Sequence, residues 1–95
     1  MDYLNKYISE EDIKYLFNNM EDIDINQLAM HEDKTKEIIE YLISIGVKNI
    51  KDVIKYHPEI FYESVDFIKS VIEEKGIDDI VELINNDIMN LNLFD

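Results

Sequence analysis

No cysteine and no arginine occur among the 95 residues, proline appears once and glycine twice. Each scarcity excludes something. Without cysteine there is no disulfide scaffold, no thiolate zinc site and no cysteine nucleophile. Because all nine basic residues are lysine, the chain has no guanidinium fork for bidentate recognition of phosphate or guanine. So little glycine and proline leaves few turns for strand hairpins, which favours helices over a sheet. Long apolar runs are missing as well. The longest, around Leu42 to Val47, is broken by Ser44 and Gly46 and is far too short to span a bilayer. The opening stretch, MDYLNKYISEEDIKYL, has neither the basic start nor the apolar run of a signal peptide. The expectation is a soluble, cytoplasmic protein without a membrane role.

What is present is apolar and acidic. Hydrophobic residues make up 46% of the chain, with isoleucine the commonest, which is not a disordered composition. A chain of this size forms one domain, residues 1–95, and buries only about 60–68% of its unfolded surface, so each apolar stripe is needed. Twenty-two acids face nine lysines, for a net charge of −13. The imbalance is uneven. Residues 1–33 hold nine acids and two lysines, residues 34–55 three acids and five lysines, and residues 56–95 ten acids and two lysines.

The apolar residues recur at helical spacing. Ser9 with Glu10, Glu11 and Asp12 reads as a capped helix start, followed by the stripe Ile13, Leu16, Phe17, Met20. Asp24 is expected to cap a short helix bearing Ile25, Leu28 and Ala29. Asp33 is expected to cap the next, with Ile38, Ile39, Leu42, Ile43 and Ile45 inward and Gly46 as its left-handed stop. Lys48 or Asn49 starts a short helix with Ile50, Val53 and Ile54 that must end before Pro58. Ser64 caps Val65, Phe67, Ile68, Val71 and Ile72, stopped by Gly76, and Asp78 or Asp79 opens a last helix with Ile80, Val81, Leu83 and Ile84.

A shift of thirty residues superposes two of these units. Ile38, Leu42, Gly46, Val47, Ile50, Val53, Ile54 and Phe61 fall on Ile68, Ile72, Gly76, Ile77, Ile80, Leu83, Ile84 and Leu91. A fainter copy lies earlier, with Ile13, Phe17, Ile25, Leu28 and Ala29 falling on Ile38, Leu42, Ile50, Val53 and Ile54. The expected fold is therefore all-α, about six short helices in three stacked helical hairpins near residues 9–31, 33–57 and 64–86, with a docked tail 87–95. This is a compact helical repeat array.

Leu42, Gly46, Ile50, Val53, Ile54, Pro58, Ile60, Phe61, Phe67, Val71, Gly76, Ile80, Leu83 and Ile84 follow an order of apolar helix, glycine, short helix and Pro-x-apolar-apolar. Over residues 38–91 this resembles the repeats of the mitochondrial transcription termination factor family. The resemblance implies right-handed helical repeats and, in that family, nucleic-acid binding through a basic concave surface. The chain departs from the pattern where Asp87-Ile88 replaces a second His-Pro, and a surface at −13 repels a polyanion that binds through lysine and arginine. The architecture carries over; direct nucleic-acid binding is not expected.

Catalytic and metal readings find weak footing. Asp22, Asp24, Asn26 and Asp33 take calcium-loop positions, but Gln27 stands where that loop needs glycine, and a helical stripe runs through it. His31 and His57 have no partner at metal-ligand spacing. Carboxylate pairs such as Glu73-Glu74 and Asp78-Asp79 fit solvated faces or helix starts better than acid–base work. No cofactor, metal or catalytic residue is expected. The four phenylalanines are read as core, and the six tyrosines as lying beside the stripes.

The expected function is a non-enzymatic acidic protein–protein interaction module. Its partner-binding surface comprises Glu63, Asp66, Glu73, Glu74, Asp78, Asp79 and Glu82, offered to a basic protein. In size and charge the chain is similar to small acidic inhibitors that mimic nucleic acid and occupy the nucleic-acid-binding surface of another protein. The alternative is a divergent nucleic-acid-binding module of the termination-factor type, using Lys48, Lys51 and Lys55 as an anion patch.

Overall fold

A computed structural model describes residues 1–94. Among them are six α-helices: α1 (Glu10–Asn19), α2 (Asp22–Met30), α3 (Glu32–Ser44), α4 (Ile50–Tyr56), α5 (Val65–Lys75) and α6 (Ile77–Asn86). Three 3₁₀ helices, Asp2–Lys6, Pro58–Tyr62 and Ile88–Asn90, complete the described structure, and it contains no strand. The protein is all-α. Its radius of gyration, 12.5 Å, is close to the roughly 12 Å of a globule of this length, so the array is compact.

The helix starts follow capping chemistry where serine is available. Ser9 Oγ accepts from the Asp12 amide and Ser64 Oγ from the Phe67 amide, each at 3.1 Å. Asp24 and Asp33 do not cap as expected. Their helices begin earlier, with Glu21 and His31 in the cap place and no side-chain cap bond. His31 alone separates α2 from α3, so Asp33 has no room outside the helix. Likewise α6 opens at Ile77 directly behind Gly76, ahead of Asp78 and Asp79.

α3 ends in a Schellman motif: the Val47 amide donates to the Leu42 carbonyl at 3.0 Å and the Gly46 amide to the Ile43 carbonyl at 3.1 Å. That turn needs the φ of +112° which glycine supplies at position 46. Thirty residues on, Gly76 has φ +105°. His57 (φ −135°, ψ 56°) and Asp87 (φ −154°, ψ 53°) also match at that offset, and each precedes a 3₁₀ helix. The backbone thus repeats where the sequence does. The difference lies in the link, which is Gly76 alone between α5 and α6 but residues 45–49 between α3 and α4.

Packing is interleaved. α3 lies on α5, α1 on α4, and α2 on α3 and the Pro58–Tyr62 helix, while α5 and α6 pack together. The core holds eighteen apolar side chains, half of them isoleucine, including Ile38, Ile39, Ile54, Ile68, Ile72 and Ile84. Leu4, Ile60 and Phe61 enter it from 3₁₀ helices that the periodicity did not signal. Beyond α6, Leu91 and Leu93 dock on the core; Asp95, the last residue of the expected tail, lies outside the described residues.

Three of the four phenylalanines are not core. Phe61 is fully buried, but Phe17, Phe67 and Phe94 are exposed, as is Ile43. In each case a neighbour, Leu16, Ile68, Leu93 or Leu42, takes the inward place, and a core this small needs only a narrow stripe from each helix.

Polar ties lock the second unit to the third. The Asn85 side chain accepts from the Lys48 amide at 2.9 Å and donates to the Gly46 carbonyl at 3.0 Å. Asn49 donates to the Ile84 carbonyl at 2.7 Å. His57 places Nδ1 2.9 Å from Glu59 Oε2 and Nε2 2.7 Å from the Ile88 carbonyl oxygen. Denaturant unfolding of Asn85→Ala is expected to show a loss of about 1–3 kcal/mol, because two backbone groups lose their partner. Gly46→Ala is expected to lose about 1–3 kcal/mol through backbone strain. Unchanged midpoints for both would refute this account of the α3–α4 turn.

Candidate functional site

The site expected from the sequence lies on α5 and α6. Ile68 and Ile72 anchor α5 to the core, which turns its other side outward. On that side Asp66 and Glu73, seven residues and so about two turns apart, stand nearly in line, and Glu74 lies about 100° further round. α6 is fixed by Ile80 and Ile84 and carries Asp78, Asp79 and Glu82 within about 100° of one another. Glu63 precedes the Ser64 cap. All seven carboxylates are exposed.

The single-residue link at Gly76 brings Glu73 beside Asp78 and Asp79. Glu73, Gly76, Ile77, Asp78 and Asp79 line one open depression of about 560 Å³, while Glu63, Asp66, Glu74 and Glu82 lie outside it. An added Cβ at Gly76 would stand 3.4 Å from Asp79 Oδ2, an ordinary contact, so it is the φ of +105° and not space that calls for glycine in this link. Asp78 and Asp79 also favour the helix start through its dipole. The ion pairs of the described residues, Lys6–Glu40, Lys51–Asp12 and His57–Glu59, use none of the seven acids.

Beside this depression lies a second, of about 330 Å³, lined by Phe67, Val71, Glu74, Lys75, Leu93 and Phe94. The rings of Phe67 and Phe94 stack with centroids 6.0 Å apart and an interplanar angle of 16°. The sequence reading missed this feature. Phe67 sits on the apolar stripe of α5, and nothing in the spacing says that the stripe is wider than the core it serves.

The lysines of the central segment are drawn inward in part. Lys51 Nζ lies 3.7 Å from Asp12 Oδ1 and 4.6 Å from the centroid of the Tyr15 ring. Lys55 Nζ donates to the Asn19 carbonyl at 3.0 Å, at the C-terminal end of α1 where a cation is favoured. Lys48 is exposed, and its backbone is held by Asn85. Two of the three thus tie α4 to α1 and do not stand free as a patch. Asp22 and Asp24 belong to helix α2, so no calcium loop forms there. No cluster of three or more histidine, aspartate or glutamate side chains among the described residues could hold a metal ion. No described helix is long and apolar enough to cross a membrane.

One tyrosine–carboxylate pair is strongly perturbed. Tyr7 Oη donates to Glu40 Oε2, and Lys6 Nζ stands 3.5 Å from the same oxygen. Desolvation first, and then the Glu40 hydrogen bond, push the Tyr7 hydroxyl up to about 12. That bond, with Lys6, holds the Glu40 carboxyl below its ordinary value of 4.5. The raised Tyr7 value means that this contribution is present below pH 10 and is lost as pH rises towards about 12. The lowered Glu40 value means that its contribution is present above pH 4.5 and is lost as pH falls through the depressed value. Ultraviolet titration of tyrosinate absorbance is expected to show a late-ionising group that disappears in Tyr7→Phe and moves to lower pH in Glu40→Gln. An unchanged titration curve in both variants would show that the pair does not form.

No family model, no curated protein and no solved structure matches the chain.

Proposed function

We propose that the protein is a non-enzymatic interaction module whose α5–α6 face binds a basic surface on a partner protein. In the specific form of this reading it acts as an inhibitor, covering a surface with which the partner binds nucleic acid. The observation that carries the reading is the set of six exposed carboxylates on two helices joined by one residue, with a seventh, Glu63, just ahead of the first. A rigid scaffold holds the charges in fixed positions, so little ordering cost falls on the acidic groups at binding. The field of residues 56–95, ten acids against two lysines, steers a basic partner toward this end of the molecule.

The alternative, a nucleic-acid module using Lys48, Lys51 and Lys55, is less well supported. Lys51 and Lys55 already have acceptors on α1, and a net charge of −13 opposes approach to phosphate. Self-association through the same acidic face would bring like charges together and is opposed for the same reason.

The test is a pull-down with tagged protein, washed first at low and then at high salt. A basic nucleic-acid-binding protein is expected on the column, released by salt and displaced by added nucleic acid. It is expected to be absent when Glu73→Gln, Glu74→Gln, Asp78→Asn and Asp79→Asn are combined. Amide replacements keep hydrogen-bonding groups at the start of α6, and circular dichroism checks that the variant stays helical. Recovery of nucleic acid itself, or of no basic protein, would overturn the reading.

A further inference from the structure

Glu73 and Glu74 are neighbours near the end of α5, yet they border different depressions. Glu73 belongs to the acidic one with Asp78 and Asp79, and Glu74 to the apolar one walled by Phe67, Val71, Leu93 and Phe94. Phe67 is 44% exposed and Phe94 41% exposed. Two stacked rings left this open forgo much of the gain of burying an aromatic side chain. The core does not require Phe67 there, since Ile68 and Ile72 already fill the inward side of α5.

We infer that the Phe67–Phe94 depression is the anchor pocket for an apolar side chain carried within a basic segment of a partner protein, whose cations meet Glu73, Glu74, Asp78 and Asp79. The inference rests on the reading of the α5–α6 face given above and narrows it. The partner is a lysine- or arginine-bearing segment with an aromatic or long aliphatic side chain among its cations, not simply a cationic surface.

Charge selects this occupant over the others that could cover an apolar patch. A second copy of the chain would bring another −13 to the same face. An anionic lipid surface or a nucleic acid would bring phosphates against the Glu73–Asp79 corner. A neutral apolar peptide would fit the rings but would desolvate adjacent carboxylates without any counter-charge. A basic segment supplies the counter-charge, and its cations can also rest on the ring faces. Lys75 also lines the pocket but is itself engaged, and Glu74 is the carboxylate of the lining that an arriving cation would meet.

The probe is a displayed library of random short peptides selected against the immobilised full chain. Enriched peptides are then measured by fluorescence anisotropy against the native protein, Phe67→Ser, Phe94→Ser and the four-amide variant. Both phenylalanines are exposed, so the serine variants are expected to keep their helical circular dichroism. The expected result is enrichment of peptides that pair an aromatic or long aliphatic residue with lysine or arginine. Binding should weaken by about tenfold or more in either serine variant, as when a central anchor is truncated, and likewise in the four-amide variant. Purely basic peptides, bound equally by the native and serine variants but lost in the four-amide variant, would overturn the inference and leave the proposed function standing. Apolar peptides without a basic bias, or no enrichment at all, would overturn both.

Discussion

α3 and α5 lie against each other along a seam that buries Ile38, Leu42, Ile68 and Ile72, and the size of that seam constrains the rest of the molecule. In a chain of 95 residues every helix has to give one narrow apolar stripe to the same interior. Most of those places are filled by branched aliphatic side chains, whose restricted rotamers lose little freedom on packing. Phe61 is the one aromatic ring in the fully buried set. The acids therefore collect on the outer faces. Helix geometry then sets them in rows, since residues four or seven apart share a side.

The one segment of net positive charge is spent largely inside the assembly. Lys51 and Lys55 extend from α4 to the flank and the C-terminal end of α1, where their cations meet Asp12 and the Asn19 carbonyl. These exposed contacts are weak one at a time. Their structural effect is to join the first unit to the second across a surface that would otherwise carry acids on one side only. The field of the molecule is then left to its two ends. At the C-terminal end the acids of α5 and α6 stand beside open aromatic rings, a combination that charge alone does not explain.

Much of the architecture was legible because it follows from local chemistry. Serine just ahead of a helically spaced apolar stripe caps a helix by its own side chain, and both Ser9 and Ser64 do so. The glycine stops at 46 and 76 were legible because only glycine accepts their φ at little cost. Six acids of the candidate face could be named because helical spacing around Ile68, Ile72, Ile80 and Ile84 leaves them outward; Glu63 lies ahead of α5 and owes nothing to that spacing. What the sequence did not reveal depends on which neighbour wins a place in the core. Leu16 and Phe17 are one step apart on α1, and the stripe alone does not say which turns inward. Pro58–Tyr62 and Asp2–Lys6 are too short to show a period; Phe61 was expected in the core as a phenylalanine, but the helices that carry it, Ile60 and Leu4 inward gave no such signal. The Phe67–Phe94 pair joins positions far apart in sequence, so local spacing held no signal of it.

The order of contacts has a consequence for how such a chain can change over time. In an open array each repeat touches only the next, and a unit can be added or lost at either end. Here too each unit meets the next: α1 finds its partner in the second unit, α3 finds its own in the third, and Asn85 near the end of α6 holds the turn that follows α3. Deleting an end unit would strip one of these interfaces, whereas deleting the middle unit would strip both at once. The chain retains the periodic outline of a modular protein, and its middle unit is the part on which both interfaces depend. Change is confined to its outer faces, where the acids and the exposed rings lie.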